Sequence, residues 1–405
     1  MIYLVSSAVF LGVILTLVTI ILFLDATVVK KGNCDIVIND DRGKSIHGPT
    51  GQTLLSSLVN SGIFIPSACG GSGACGQCKC LVEKGGGDIL PTELPHLSRK
   101  EKADDVRLAC QVKVREDMSI QLPPEIFSIK KYFATTESNT NVATFIKELV
   151  LKLDPDSDLS FKAGAYMQID IPEYEVSFSE FDVTDRFSAT WEKFNIKGLI
   201  AKSEDPIFRA YSLANPPGEN EKLMFTIRIA TPPEDSPEAP PGVGSSYVFS
   251  LKPGDRVALS GPYGDFFVKD TDNEMCFIGG GAGMAPIRCH ILHQLNEKKT
   301  KRKISFWYGA RSTQEMFYDD EFSSLEKTYD NFTYNVALSQ PLAEDKWSGM
   351  TGYVHQNLYD HYLSSHPDPT EIEYYLCGPP QMLEAVIDML YNLGVESEMI
   401  AFDAF

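Results

Sequence analysis

The sequence has few basic residues and few cysteines, and these two shortages argue against a nucleic-acid-binding protein and against a disulfide-stabilised one. Its 405 residues contain 36 Lys and Arg against 55 Asp and Glu, a formal net charge of −19. This balance argues against binding nucleic acid through a general basic surface, and we expect no nucleic-acid partner. Nine cysteines are too few for a disulfide scaffold. Internal repeats and low-complexity tails are absent, and the length suits two to four ordinary domains.

Charged residues are also absent from the stretch Ile2 to Leu24, which is rich in Leu, Ile and Val. As a helix, this stretch would span roughly 34 Å at about 1.5 Å per residue, slightly more than a bilayer core. A cleaved secretory signal would have basic residues before a shorter apolar run. We therefore predict a retained single-pass transmembrane helix within residues 1–31, with Lys30 and Lys31 placing the soluble part on the cytoplasmic side.

The rest of the chain divides into three blocks by pattern. Residues 32–127 begin with short alternating strands and contain a loop rich in Gly and Cys. Residues 128–268 carry short β-type runs separated by Pro and Gly, which favours an antiparallel β-barrel. In residues 269–405 strands alternate with helices, which is typical of a parallel α/β sheet. We predict a multidomain α+β and α/β protein, with the acidic, aromatic residues 172–206 as an insertion of unassigned role.

Four cysteines lie in one glycine-rich loop and one distant segment. The loop reads Cys69-Gly-Gly-Ser-Gly-Ala-Cys75-Gly-Gln-Cys78, and Cys110 follows after a further 31 residues. Four thiolates so arranged can ligate a two-iron cluster, and the glycines let backbone N–H groups approach its sulfides. A zinc site or a buried thiol cluster is the alternative, although zinc sites usually use two Cys-x-x-Cys pairs with little glycine between them. We expect the extra thiol, Cys80, to be a small core residue.

This loop resembles the plant- and adrenodoxin-like [2Fe–2S] ferredoxin superfamily, in its variant with five residues in the first gap. The resemblance implies a β-grasp domain over residues 32–127. It also implies that the four cysteines bind a [2Fe–2S] cluster, which accepts one electron at a time.

The middle block contains three short motifs that suit a flavin. Arg209-Ala-Tyr211-Ser212 lies on a predicted strand, where Arg209 and Tyr211 share one face and Ser212 lies on the other. A guanidinium suits a pyrophosphate, and a tyrosine can pack on a ring. Gly242-Val-Gly-Ser-Ser opens a predicted helix whose N–H groups suit a phosphate. A turn at Lys252-Pro-Gly-Asp255 leads to Gly261-Pro-Tyr-Gly264.

In this order the three motifs resemble the ferredoxin–NADP⁺ reductase superfamily, whose barrel binds FAD. The resemblance implies that Tyr211 and Ser212 lie at the isoalloxazine and take part in catalysis, and that Arg209 and Ser245 bind the pyrophosphate. It gives this set of expected FAD-binding residues: Arg209, Tyr211, Ser212, Arg228, Thr231, Gly244, Ser245 and Ser246.

A second glycine-rich loop opens the last block. Gly279-Gly-Gly-Ala-Gly-Met-Ala-Pro286 stands between a predicted strand and helix, where glycines let the backbone approach a dinucleotide and Pro286 suits the first helical turn. Tyr308-Gly-Ala-Arg311-Ser and Cys377-Gly-Pro-Pro-Gln-Met follow later strands and resemble the same superfamily. The resemblance implies pyridine-nucleotide binding by these residues: Gly279, Gly281, Gly283, Pro286, Arg311, Cys377 and Gly378.

The same resemblance and the charges near Arg311 predict the place of Cys377, the preferred nucleotide and the residue that covers the flavin. Cys377 is expected near the reactive carbon of the nicotinamide, with a buried strand thiol as the alternative. No basic cluster accompanies Arg311 and the acidic run Asp319-Asp-Glu321 follows it, which favours NADH over NADPH. The terminal aromatic Phe405 is expected to cover the flavin and take part in catalysis, with Phe402 as the competing candidate.

The order of the blocks behind an N-terminal helix resembles the F subunits of the Na⁺-translocating NADH:quinone oxidoreductases, over essentially the whole chain. The resemblance implies an enzyme of the bacterial inner membrane that passes a hydride from NADH to FAD. Single electrons then go to the [2Fe–2S] cluster and on to membrane partner subunits and ubiquinone. It also implies that sodium transport takes place in those partners.

Two other functions are compatible with the same motifs. The chain would serve as the NADH reductase component of a membrane-associated oxygenase if its partner were a di-iron or Rieske protein. A membrane-tethered redox sensor without catalysis is the second, although three intact cofactor sites exceed what a sensor needs.

Overall fold

The computed structural model describes residues 10–20, 32–233 and 235–404. Residues 10–20 form helix α1, whose large apolar side chains are exposed. Within the described ranges, no helix has both the length and the apolar character needed to cross a membrane. The remainder of the predicted transmembrane segment, residues 1–9 and 21–31, lies outside the described residues. The anchor therefore stays a prediction.

Two compact units make up the chain, the first ending at Ser128 and the second beginning at Ile129. The regular elements of the first unit after α1 are β1 (Asn33–Ile38), β2 (Asp41–Pro49), α2 (Leu54–Asn60), β3 (Lys79–Lys84), α3 (Arg99–Ala103), β4 (Val106–Leu108) and β5 (Met118–Gln121). Its strands form one mixed sheet in the order β2-β1-β5-β3-β4, in which β1 and β5 are parallel.

Alternating apolar residues fix which face of this sheet is buried. Cys34, Ile36 and Ile38 on β1 are buried, whereas the residues between them are more exposed, as a half-buried strand requires. Helix α2 contributes further buried side chains. Thr53 caps its amino end, because the Thr53 hydroxyl accepts a hydrogen bond from the backbone N–H of Ser56 at 3.1 Å.

A buried ion pair fastens β4, the strand that precedes the fourth cysteine of the predicted cluster site. The side chains of Arg107 and Glu93 are 4% and 0% exposed, and Arg107 Nη2 donates to Glu93 Oε2 at 2.6 Å. Arg107 also donates to three backbone carbonyl oxygens in residues 86–88, and Glu93 accepts from the N–H groups of Leu90 and Leu108. Burial alone would raise the pKa of Glu93, but these hydrogen bonds outweigh it and hold that pKa below its usual value.

The second unit begins with the strands of an antiparallel sheet and an insertion between them. Its elements up to residue 268 are β6 (Lys130–Ala143), β7 (Ile146–Leu153), β8 (Tyr166–Ile171), β9 (Tyr174–Ser177), α4 (Asp185–Lys193), β10 (Ile200–Ser203), β11 (Ile207–Ser212), β12 (Lys222–Arg228), α5 (Val243–Ser250) and β13 (Arg256–Tyr263). Six of the strands pair in the order β11-β8-β13-β6-β7-β12, every pairing being antiparallel. In the part of the chain described, β11 and β12 remain edges of this ladder, so closure into a barrel stays a prediction.

The insertion at 172–206 folds around aromatic side chains. Strands β9 and β10 pair with each other, and Phe178, Phe187 and Trp191 are completely buried beside them. The Trp191 ring stacks on Phe249 of α5 with 6.2 Å between ring centroids, so the insertion shares its core with the main body of the unit.

A parallel sheet completes the second unit. Its elements are β14 (Met275–Gly280), α6 (Met284–Leu292), β15 (Ile304–Ala310), α7 (Asp319–Thr328), β16 (Phe332–Leu338), β17 (Met350–Thr351), α8 (Val354–His361), β18 (Glu373–Cys377), α9 (Pro380–Asn392) and β19 (Ile400–Asp403). The strand order is β17-β16-β15-β14-β18-β19, and all pairings are parallel.

Strand β14 lies at the centre of this sheet and is buried on both faces. Met275 and Phe277 contribute to one apolar core, and Cys276 and Ile278 contribute to the core on the other face. The chain order reverses at β14, between its neighbours β15 and β18. In doubly wound sheets, ligands bind at the carboxyl ends of the strands at such a switch point.

We expect Glu93→Gln to destabilise the first unit by about 3–5 kcal/mol, because the variant leaves the Arg107 charge buried without its counter-charge. All three tryptophans of the chain lie in the second unit. Hydrogen exchange across residues 32–128 should therefore report the loss, while the tryptophan fluorescence transition in denaturant should remain where it is in the wild type.

The pH dependence of this effect has a definite sign. Because the folded-state pKa of Glu93 is depressed, its contribution to stability is present above the unfolded carboxyl pKa of about 4.3 and is lost as the pH falls toward the folded value. The stability difference between wild type and Glu93→Gln should thus shrink under acid. A variant as stable as the wild type at pH 7 would contradict this role for the pair.

Candidate functional site

The cysteine loop of the first unit is held in shape by glycines in the left-handed region of the backbone map. Gly70, Gly71, Gly73 and Gly76 have φ between 65° and 92°, a conformation that costs other residues strain. A side chain at Gly73 would lie 2.7 Å from the amide nitrogen of Gln111. The loop is therefore closely wrapped against the segment that carries the fourth predicted ligand.

The four predicted ligands stand as two pairs of thiols. Cys75 Sγ donates to Cys69 Sγ at 3.3 Å, and this hydrogen bond lowers the pKa of Cys69 to about 3. A hydrogen bond joins Cys78 and Cys110, which are 1% and 4% exposed, and the charge of Cys69 also acts on Cys110. Within residues 10–20, 32–233 and 235–404, no three His, Cys, Asp or Glu side chains stand close enough together to hold one metal ion.

The chemistry of this donor set fits a two-iron cluster better than a structural zinc ion. Four neighbouring thiols with glycine-rich backbone between them match the thiolate ligands and N–H donors that [2Fe–2S] clusters use. The extra thiol, Cys80, is buried beside Arg107 and Glu93, and burial raises its pKa to about 12, which keeps it a neutral core thiol.

The predicted flavin strand β11 and helix α5 meet at a glycine. A Cβ at Gly244 would lie 2.7 Å from both Arg209 Cγ and the Tyr211 hydroxyl, so a larger residue cannot occupy this position without movement. Arg209 and Tyr211 therefore lie on the same face of β11, toward the start of α5. Tyr174 of the insertion donates to the carbonyl oxygen of Val243 at 2.5 Å and braces the same turn.

The hydroxyls of Ser245 and Ser246, at the start of α5, form hydrogen bonds within the turn that precedes the helix. Ser245 Oγ donates to the carbonyl oxygen of Gly242 at 3.1 Å and accepts from the N–H of Ala230 at 3.0 Å. Ser246 Oγ donates to the same Gly242 carbonyl at 2.8 Å. The first N–H groups of the helix, rather than these hydroxyls, are the donors that the turn leaves for a phosphate.

Arg228 and Thr231, which the resemblance also placed near the flavin, lie at the end of β12 and shortly after it, and their role stays a prediction. Burial of its guanidinium and repulsion from Arg311 lower the pKa of Arg228, and the carboxylate of Glu315 opposes both effects. Thr231 is exposed. Arg228 is thus within electrostatic reach of the segment that follows β15.

The glycine loop after β14 packs closely against the backbone at the end of β18. A Cβ at Gly283 would lie 2.1 Å from the carbonyl oxygen of Cys377 and 2.6 Å from the backbone nitrogen of Gly378. Thr226 of β12 donates to the carbonyl oxygen of Ala282 at 3.1 Å from the other side. Helix α6 starts at Met284, so that Pro286 lies in its first turn.

The remaining loop glycines and Arg311 also lie at the carboxyl ends of the parallel strands. Gly279, the second-last residue of β14, is in register with Cys377, and Gly281 has φ of 56° directly after the strand. Arg311 follows the last residue of β15. The predicted pyridine-nucleotide residues are thus gathered at the switch point of the sheet.

The carboxyl ends of β18 and β19 meet the flavin strand at one aspartate. Ser212 Oγ donates to Asp403 Oδ2 at 2.8 Å, and Asp403 is paired in register with Cys377. Burial raises the pKa of both Asp403 and Cys377, with the aspartate adding to the rise at the thiol. Sequence reasoning missed Asp403, whose one signal is that it is the single charged residue of β19.

The expected flavin cover lies at the end of the chain. Phe405 is outside the described residues, so its role stays a prediction. Phe402, the competing candidate, is 53% exposed on β19, immediately before Asp403.

Comparison with known families matches three parts of the chain. Residues 37–115 match a 2Fe-2S iron-sulfur cluster binding domain, residues 195–268 an oxidoreductase FAD-binding domain, and residues 277–388 an oxidoreductase NAD-binding domain. The chain thus has a domain for each of the three predicted cofactors, [2Fe–2S], FAD and NADH.

Curated relatives match nearly the whole chain. A protein of Serratia proteamaculans is 51% identical over 398 residues, which cover 98% of each chain. A protein of Haemophilus ducreyi is 52% identical over 396 residues, or 98% of this chain and 97% of the relative. Both are named as the F subunit of a Na(+)-translocating NADH-quinone reductase.

Solved structures show the same fold at lower identity. The Amycolatopsis cytochrome P450 reductase GcoB superposes with a TM-score of 0.64 at 23% identity, covering 92% of this chain and 98% of that one. The ferredoxin reductase of carbazole 1,9a-dioxygenase gives a TM-score of 0.60 at 23% identity, covering 93% and 99%. These similarities concern the fold alone.

We expect Asp403→Asn to slow reduction of bound FAD by NADH about tenfold, a change of roughly 1.4 kcal/mol in the barrier. The neutral amide of the variant can donate as well as accept, so it no longer holds the Ser212 hydroxyl in the donor role that the Asp403 carboxylate imposes. The FAD content of the protein should be unchanged. Stopped-flow absorbance at the flavin band measures the rate, with Asp388→Asn on the exposed side of α9 as the matched control.

The pH profile gives a second test of the same contact. Because burial raises the pKa of Asp403, the wild-type rate should fall as the pH is lowered through that raised value, and Asp403→Asn should lack this limb. Equal rates and equal profiles in wild type and variant would show that the aspartate has no part in the reaction.

Proposed function

The chain belongs to the family of Na(+)-translocating NADH-quinone reductase F subunits, and on this premise we propose that it is the NADH-oxidising subunit of such a membrane complex. The observation that carries the proposal is the match of about 50% identity over nearly the full length of several relatives. The three cofactor domains on one chain support it, since they supply each step between NADH and a one-electron acceptor.

The cofactors determine the overall electron path. FAD bound by the second unit would supply acceptance of a hydride from NADH and release of single electrons, and a [2Fe–2S] cluster held by the first unit would supply one-electron transfer. No step requires a general base, and the protein contributes binding, orientation and exclusion of water.

The residues of the second unit would hold NADH and FAD against each other. We assign the first N–H groups of α5 and the guanidinium of Arg209 to the FAD pyrophosphate, and Tyr211 and Ser212 to the ring. The Gly279–Gly283 loop would admit the dinucleotide backbone. Cys377, Gly378 and Arg311 would line its nicotinamide and adenosine ends.

The first unit would carry the electrons away from the flavin. Cys69, Cys75, Cys78 and Cys110 would supply the four thiolates, and the glycine-rich loop would aim backbone N–H groups at the sulfides. We keep the boundaries of the domains at 32–127 for the cluster, 128–268 for a FAD-binding β-barrel and 269–405 for NADH.

Residues 1–31 would anchor the chain. The uncharged stretch Ile2 to Leu24 has the length of a transmembrane helix, and Lys30 and Lys31 favour a cytoplasmic location for both compact units. We propose a single pass through the bacterial inner membrane. Partner subunits would accept electrons from the cluster, reduce ubiquinone and move sodium.

An oxygenase reductase is the alternative function. Its support is the similar fold of two solved reductases at 23% identity, which is weaker than the identity of about 50% to the F subunits. The membrane complex is therefore the better supported proposal.

Purification from native membranes in mild detergent tests this function. We expect the full chain to purify with multi-span subunits and to show NADH:quinone activity that Na⁺ stimulates. A chain without residues 1–31 should still oxidise NADH with ferricyanide but should lose quinone reduction in membranes. A full chain that purifies alone or with an oxygenase, and whose activity is indifferent to Na⁺, would contradict the proposal.

A further inference from the structure

The turn between β6 and β7 connects the insertion at 172–206 to the parallel sheet. Trp191 of the insertion donates through its indole N–H to the carbonyl oxygen of Thr144 at 2.7 Å. The other side of Thr144 faces Glu315: its N–H donates to Glu315 Oε2 at 3.3 Å and its hydroxyl donates to Glu315 Oε1. Trp191 and Thr144 are 0% and 1% exposed, whereas Glu315 is half-buried.

Aromatic packing within the insertion holds Trp191 in the position from which it binds Thr144. Trp191 is surrounded by Phe178, Phe181 and Phe249 at ring-centroid distances of 6.2 to 6.5 Å. Such a closely packed aromatic core holds each ring in one place. A second, longer hydrogen bond of 3.4 Å runs from Arg186 on α4 directly to a carbonyl oxygen at Gln314.

Glu315 ends the short helical turn that follows Arg311. Its carbonyl oxygen accepts from the Tyr308 hydroxyl at 3.0 Å, which ties the turn back to β15. Its carboxylate is close enough to Arg228 to favour the charged guanidinium, and Arg311 acts on the same group with the opposite sign. In the part of the chain described, neither arginine has a carboxylate within salt-bridge distance.

We propose that the insertion at 172–206 positions the pyridine-nucleotide loop 311–315 through Thr144, with Glu315 as the residue that receives the contact. This inference rests on the proposed function, because it takes Arg311 as a ligand of NADH. The insertion holds Thr144, and Thr144 in turn binds Glu315 with its N–H and its hydroxyl, which fixes the turn that directly follows Arg311 before the nucleotide arrives. Glu315 and Thr144 are positioning residues, and neither needs to touch the hydride-transfer atoms.

Substitution at Thr144 tests the contact with little change of shape. Thr144→Val removes the hydroxyl donor, and it should raise the Kd for NAD⁺ and the KM for NADH about fivefold each, an affinity loss of roughly 1 kcal/mol. The turnover number with ferricyanide should stay within about twofold of the wild type, because an interaction made equally in the bound and transition states changes KM without kcat. Thr144→Ser keeps the donor and should restore both constants. Trp191→Phe should act in the same direction from the insertion side.

Thr271→Val is the matched control. Thr271 also donates its hydroxyl to a glutamate, the buried Glu373 at 2.6 Å, but at the amino end of the same sheet. We expect it to lower the melting temperature as Thr144→Val does, without changing the Kd for NAD⁺. Calorimetric titration with NAD⁺ gives this constant without any electron transfer.

The outcomes separate this inference from the proposed function. An unchanged Kd in Thr144→Val and Trp191→Phe would overturn the positioning role whatever the turnover, as would an equal rise in Thr271→Val. Failure of the wild type to oxidise NADH would instead contradict the proposed function, and the NAD⁺ titrations would still decide the role of Thr144.

Discussion

The hydrogen bond between Ser212 and Asp403 is the contact on which the account of hydride transfer depends. It joins the edge strand of the antiparallel sheet to the last strand of the parallel sheet, across 191 residues of sequence. Arg288 strengthens the same junction by donating to the carbonyl oxygen of Ala214 at 2.8 Å. Because Asp403 is also in register with Cys377, the flavin strand and the predicted nicotinamide position are held together before either cofactor binds.

The first unit meets a different constraint, since four thiolates and a crowded loop must be kept in place around a charged cluster. Positive-φ glycines shape the loop, and the buried pair of Arg107 and Glu93 ties the strand before Cys110 to the backbone at 86–88. A network in which every partner is satisfied can be buried at little net cost, whereas losing one member is expensive. The cluster site therefore depends on residues that have no redox chemistry.

Local sequence patterns predicted the cofactor loops and the order of the domains, because each of these loops consists of contiguous residues with a recognisable spacing. The cysteine loop, the glycine loop and the order of the three blocks are all visible as spacing. Contacts between distant residues are not visible in this way. Asp403 carries no motif, and only the fold brings Asp403 to Ser212 and Glu315 to Thr144. The proposed role of the insertion likewise depends on a tertiary contact at Thr144.

Cys75→Ala tests the central claim, that electrons pass from NADH through FAD to the cluster, most directly. Wild type and variant are mixed with NADH while flavin absorbance and the electron paramagnetic resonance of a reduced [2Fe–2S] cluster are followed. We expect the flavin to be reduced at nearly the same rate in both proteins, and the cluster signal to develop after flavin reduction in the wild type alone. A variant that loses flavin reduction together with the cluster signal, or a wild-type cluster that NADH leaves oxidised, would contradict it.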